Sequence, residues 1–262
     1  MLGKLLKYDL KWVYKVISVF YILSVFFAGI GRLFTLFDNS LVFDILSKVM
    51  FGISIAMMAN GVVNCFMRSW VRFANNMYKD ESYLTHTLPV SRNTIFCSKF
   101  LSAIICTFTS VLVVAVSLAI CYYSKENIEV LGKLLEIVAT AYNTKTVTFL
   151  LTLSVVLMLQ IVFIILVGYI GLILGHRRNN NKMGCSVIFG LIIYAISMIL
   201  ILAIVFIVAL LNADVMSIFV SNSVSIEVLK TACYICIATY SCYILALYFI
   251  GQKLLKSGVN VD

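Results

Sequence analysis

Charge and proline are the scarcest features of this sequence. Of its 262 residues, 12% are Asp, Glu, Lys or Arg, and Pro89 is the only proline. An average soluble domain carries about 25% charged residues. With 63% hydrophobic residues and a mean hydropathy of +1.07, a soluble chain of this length could not hide its apolar surface. Catalytic signatures are missing as well. There is no G-x-x-x-x-G-K-[ST] to cradle nucleotide phosphates, no H-E-x-x-H and no G-x-S-x-G. The two histidines, His86 and His176, sit in separate polar segments without ligand-like neighbours. The eight cysteines lie in or beside apolar runs and act there as small apolar residues. Cys233 and Cys236 form a C-x-x-C in mid-helix with no second pair, so no metal or redox site is expected.

What the chain does have is long uncharged runs: 49–67, 100–124, 146–175, 183–213 and 231–252. A first run from Val16 to Gly31 continues past Arg32 to Phe37. About 18 or more apolar residues cross the roughly 30 Å hydrocarbon layer as a helix. In lipid every backbone polar group must be paired internally, which makes such runs helices. They are apolar on all sides, whereas strands of a membrane barrel alternate. Arg32 lies near a helix end and can snorkel to the surface. The sequence therefore predicts an all-α polytopic membrane protein of six spans, in one domain covering 1–262.

The net charge of +9 follows topology rather than a nucleic-acid surface. With the N-terminus inside, 14 of the 20 basic residues fall on inner segments: Lys4, Lys7, Lys11, Lys15, Arg68, Arg72, Lys79, Arg92, Lys99, Arg177, Arg178, Lys182, Lys253 and Lys256. Such an excess marks the cytoplasmic side, so both termini are expected there. The same charge is expected to meet anionic lipid headgroups. No Asp, Glu or His lies deep in a run, which argues against an intramembrane protease or a proton-driven carrier.

Residues 1–15 read as an interfacial helix. Leu2, Leu5, Leu6, Trp12, Val13 and Val16 recur at helical spacing, and the lysines follow one another at three or four. A signal-peptide n-region is the alternative, but Ala28 and Gly29 make a poor cleavage site. Residues 124–145 form an external segment whose Ile128, Leu131, Leu134, Leu135 and Val138 predict a short helix. Residues 212–227 are too apolar for an open loop and predict a re-entrant or interfacial element. Gly168, Gly171 and Gly175 permit close helix approach. Asn60 and Asn64 share one helix face, either for interhelical hydrogen bonds or as a polar strip along a pathway.

The inner segment 68–93 is the longest polar one. Pro89 lacks an N–H and keeps Leu88 out of the helical region, so a helix must end before it. Ser91 suits the N-cap of the third span. A short helix bearing Asp80, Glu81, Tyr78 and Tyr83, then a hard turn, makes a lever for a cytosolic partner.

The acidic pair, Tyr83-Leu84, the stretch T-L-P-V-S-R and Lys99 seven residues after Arg92 resemble the first cytoplasmic loop of ABC-2-type transporter permeases. The whole plan is similar too, with a basic elbow helix, six spans, inner termini and no nucleotide site, as in type V exporters. The resemblance implies two permease subunits, identical or paralogous, working with two separate ABC ATPase subunits in a bacterial cytoplasmic membrane. ATP and Mg would be bound by the ATPase, leaving this chain with no cofactor, metal or catalytic residue. Coupling would run through Asn75, Met77, Tyr78, Lys79, Asp80, Glu81 and Tyr83. Spans two and five flank the route in that family, placing Ile53, Met57, Asn60, Asn64, Phe189 and Ile193 along it. An uncharged route suits a hydrophobic or amphipathic cargo, such as an antimicrobial or cytolytic peptide exported or expelled in self-protection. A drug or lipid-like cargo, or a non-transporting sensor or assembly protein, are the alternatives.

Overall fold

The apolar runs become helices, and packing extends several of them beyond the bounds that hydropathy sets. The computed structural model describes residues 1–37, 41–79, 81–141, 145–178, 181–212, 215–216 and 226–257. Among these are eight helices: α1 (Leu2–Phe34), α2 (Leu41–Tyr78), α3 (Glu81–Thr87), α4 (Arg92–Tyr122), α5 (Lys125–Ala141), α6 (Thr146–Gly175), α7 (Lys182–Leu211) and α8 (Ile226–Lys256). Six of them are long and apolar enough to cross a membrane. Among the described residues the chain is all-helical, and its six long apolar helices make it a polytopic membrane protein.

Two expectations need correction. The interfacial helix over 1–15 does not form a separate element, because α1 runs unbroken from Leu2 to Phe34. Its buried residues, Asp9, Val13, Ile17, Ser24, Ala28 and Gly31, recur at three, four or seven along one face straight through residue 15. With no proline in the way, that stripe holds the helix continuous. The polar segment from Arg68 likewise begins as helix. α2 carries its own buried stripe (Ser54, Met58, Gly61, Cys65, Ser69) on to Phe73, Met77 and Tyr78. At 33 and 38 residues, α1 and α2 are about 50 and 57 Å long, well beyond the hydrocarbon thickness. Part of each must lie outside it.

Elsewhere local chemistry sets the ends as expected. α3 stops two residues before Pro89, and Ser91 Oγ accepts from the Thr94 amide at 3.3 Å to cap α4. Asn181, in the left-handed region at φ 47°, caps α7 by accepting from the Gly184 amide. Asparagine tolerates that region better than most residues. The apolar stripe of the external segment lies on α5. The 212–227 element falls mostly outside the described residues.

The chain divides into two compact units, Met1–Glu129 and Val130–Asn260. In the first, α1 packs on α2 and α4 along a seam of hydroxyl groups. Tyr14 and Thr109 are 2.6 Å apart through their hydroxyls, Tyr21 and Ser110 2.5 Å, and Ser24 and Ser117 3.3 Å. Ser54 Oγ donates to the Ser24 carbonyl at 2.7 Å. Small hydroxyl residues let helices approach closely and hydrogen-bond across the gap.

In the second unit α6 packs on α7 and α8 through apolar and aromatic groups. Phe163 meets Tyr240 at 5.5 Å and Tyr243 at 5.9 Å between ring centres. Gly171 and Gly175 bear the close approach expected of them. A Cβ on Gly171 would meet the Ser186 carbonyl at 2.8 Å, and one on Gly175 would collide with the Ser186 backbone.

Candidate functional site

The strongest concentration of chemistry lies at the basic end of the first unit, on a residue that the net-charge pattern hides. Asp9 is the only acid among the first 37 residues. At 100° per residue, Lys4, Lys7, Lys11 and Lys15 fall within an arc of about 80° on α1, and Asp9 points roughly opposite, with Leu5, Val13 and Val16. It is therefore buried, 1% exposed.

Asp9 is one member of a closed ring of five side chains. Arg72 Nε donates to Asp9 Oδ1 at 3.1 Å, and Arg72 Nη1 donates to Glu81 Oε2 at 2.7 Å. Asn76 Nδ2 donates to the same Glu81 oxygen, and Lys99 Nζ donates to both Asn76 Oδ1 and Asp9 Oδ1. Ser98 Oγ adds a bond to Asp9 Oδ2 at 2.9 Å. Two acids and two bases leave the ring electrically neutral. Each charge is both paired and hydrogen-bonded, the condition under which buried ions are tolerated.

The ring takes residues from α1, α2, α3 and α4, and it floors a cavity of about 120 Å³ walled by Leu5, Tyr8, Thr85, Leu88 and Ile95. Arg72 and Asn76 are one helical turn apart, so α2 presents both to the same side. Arg68 is one turn earlier. Both arginines lie over Trp12, their guanidinium carbons 4.6 Å (Arg68) and 5.3 Å (Arg72) from the ring centre.

Glu81 thus fastens α3, whose Ser82 and Thr85 are buried while Tyr83 and Leu84 are 63% and 74% exposed. Of the residues expected to couple, Glu81, Lys79 and Tyr83 reach the surface, Asn75 is half-buried, and Met77 and Tyr78 are core. A side chain in the core cannot touch a partner, so Met77 and Tyr78 could act only by packing. Asp80 lies outside the described residues. His86 is half-buried, its Nε2 3.3 Å from the Met77 carbonyl, which ties α3 back to the end of α2.

The expected pathway residues fall in both units. On α2, Ile53, Met57 and Asn64 are half-buried and Asn60 exposed. Among the described residues, neither asparagine makes the interhelical bond considered for it. Asn60 donates to the Ala56 carbonyl and Asn64 to the Asn60 carbonyl, each at 2.9 Å along their own helix. In the second unit Ile193 packs on the Phe163–Tyr240 core, and Phe189 lies 5.9 Å below the Arg178 guanidinium.

Among the described residues no cluster of His, Cys, Asp and Glu could hold a metal, and all eight cysteines are free. His176 is buried, its Nδ1 2.9 Å from the Leu172 carbonyl and 3.4 Å from Ser186 Oγ, a packing arrangement. Sequence reasoning missed Asp9, Asn76 and Ser98, read Arg72 only as a topology charge, and read Lys99 as a topology charge and as part of the loop resemblance. A lone acid on the apolar face of a lysine-rich helix was the available signal. No family model, curated protein or solved structure matches the chain.

Proposed function

We propose that this chain is the membrane-spanning permease subunit of an ATP-driven exporter, worked by a separate ABC ATPase that binds the nucleotide and Mg. The observation carrying the reading is the way α3 is held. A short helix with an exposed Tyr83–Leu84 face is fastened through Glu81 to a ring that also grips α1, α2 and α4. Force applied to α3 passes directly to three long helices. The burial of Ser82 and Thr85, the Glu81 tie and the Pro89 stop favour a fixed lever over a loose loop.

On this reading the basic end faces the cytosol of a bacterium, with both termini on that side, and a second permease copy or paralogue completes the assembly. ATP binding by the partner shifts α3 and biases the helices between two packings. Such a shift requires contacts that differ between the two states. The uncharged spans suit a hydrophobic or amphipathic peptide as cargo.

The test is co-expression of the tagged chain with a P-loop ATPase encoded beside its gene. The ATPase is expected to co-purify with the wild type and to be lost from the Tyr83→Ala, Leu84→Ala double variant. Replacing Asp80 and Glu81 by Lys is expected to impair attachment or coupling while leaving insertion intact. A chain that performs its task alone, or a double variant that retains the ATPase, sinks the reading. Labelling from outside is expected to reach a cysteine placed at position 129 and not one at 180.

A further inference from the structure

We infer that Arg68, Trp12 and Lys15 form a binding site for the phosphate of an anionic phospholipid. Two arginines share Trp12, but they are not equivalent. Arg72 uses its N–H groups on Asp9 and Glu81. Arg68 stacks on the indole at 4.6 Å, and among the described residues no carboxylate or carbonyl accepts from it. Its guanidinium is thus fixed in place by the ring face, with its fork of donors unused. That fork matches phosphate oxygens in a bidentate manner.

Trp12 lies on the border between two faces of α1. The buried Asp9 and Val13 are displaced from it by about 60° and 100° in one sense, and Lys15 by about 60° in the other. Lys15 is exposed and likewise has no acceptor among the described residues. The indole therefore has the bundle on one side and a free ammonium on the other, with Arg68 above it.

The location selects the ligand. Arg68 directly follows the apolar run 49–67 on α2, and Lys15 directly precedes the run beginning at Val16 on α1. Both cations sit where apolar sequence gives way to polar, the level of lipid phosphates, and Trp is enriched at that level. A headgroup with net negative charge is favoured over a zwitterion because, among the described residues, no carboxylate pairs with these two cations. The site does not depend on the proposed function. A chain with no ATPase partner would bind the same lipid.

The chain has only two tryptophans, Trp12 and Trp70, so Trp70→Phe leaves Trp12 as the sole indole. In vesicles of phosphatidylcholine, brominated phosphatidylglycerol is expected to quench Trp12 at a lower mole fraction than brominated phosphatidylcholine. Arg68→Gln should raise the half-quenching fraction for phosphatidylglycerol about fivefold, the value of one cation near the surface. Lys15→Gln should raise it to a lesser extent, and Lys7→Gln, about 140° around α1 from Trp12, should leave it unchanged. Equal quenching by the two lipids overturns the inference. So does an unchanged half-point in Arg68→Gln, or relief of quenching by inorganic phosphate, which would make the ligand a free anion.

Discussion

The two units solve the same packing problem by different chemistry. The first binds α1, α2 and α4 with hydroxyl pairs through its length and a charged ring at one end. The second holds α6, α7 and α8 mainly by shape, with glycines against backbone and an aromatic cluster around Phe163. Among the described residues it has few bonds between helices, such as Tyr243 Oη to the Ser197 carbonyl. Hydrogen bonds between membrane helices are directional and break at defined geometries, whereas apolar contacts in lipid can slide because lipid tails are equally apolar. The first unit is therefore held by fixed, directional connections. The second is built to keep a close fit while its outer faces, such as most of α7, remain apolar.

The sharpest way to break this contrast is at the ring. Asp9→Ala strands Lys99 and Arg72 without their shared acid. It is expected to cost about 3–5 kcal/mol, read as a lowered unfolding midpoint in micelles. Replacing Asp9 and Lys99 together by Leu and Met should recover most of that loss, since a buried ion pair exchanged for apolar groups is often neutral. A small effect of Asp9→Ala would mean that the ring adds nothing to the first unit.

Next in size is Gly175→Ala in the second unit. Its Cβ would collide with the Ser186 backbone, and forcing α6 from α7 should cost about 1–3 kcal/mol. Gly190→Ala, whose Cβ meets nothing within 4 Å, serves as the matched control and should be near neutral. Equal effects of the two would remove the close approach as the basis of that packing. Smaller still is Tyr21→Phe, which deletes the hydroxyl bonded to Ser110. A loss of about 0.6 kcal/mol is expected, the average for such bonds in a membrane bundle. Smallest is Asn60→Ala, which should stay within about 0.5 kcal/mol because its amide bonds only its own helix. Loss of transport in that stable variant would favour Asn60 as part of a pathway.

Hydropathy made the number of spans legible, because uncharged runs of this length have one solution in lipid. The ends were not legible in the same way. α1 and α2 continue through lysine- and arginine-bearing stretches because a buried stripe persists there, and the partner surface that buries it is not written locally. The same holds for the ring. Asp9 could be picked out by its place opposite four lysines, yet the other ring members, at positions 72, 76, 81 and 99, come from three other helices. Pro89 and Ser91, by contrast, act on their own backbone, and the turn they predict is the turn that forms. Asn60 and Asn64 were ambiguous because spacing shows which face an amide occupies, not which carbonyl it chooses.

On the proposed function, α3 is a lever gripped by a separate ATPase and tied to the bundle through Glu81. A photo-crosslinking residue at position 84, in cells, tests it most directly. The expected result is one dominant adduct identified by mass spectrometry as a P-loop ATPase, abolished when Glu81→Lys unfastens α3. Adducts with lipid alone, or none from the cytosolic side, would contradict it.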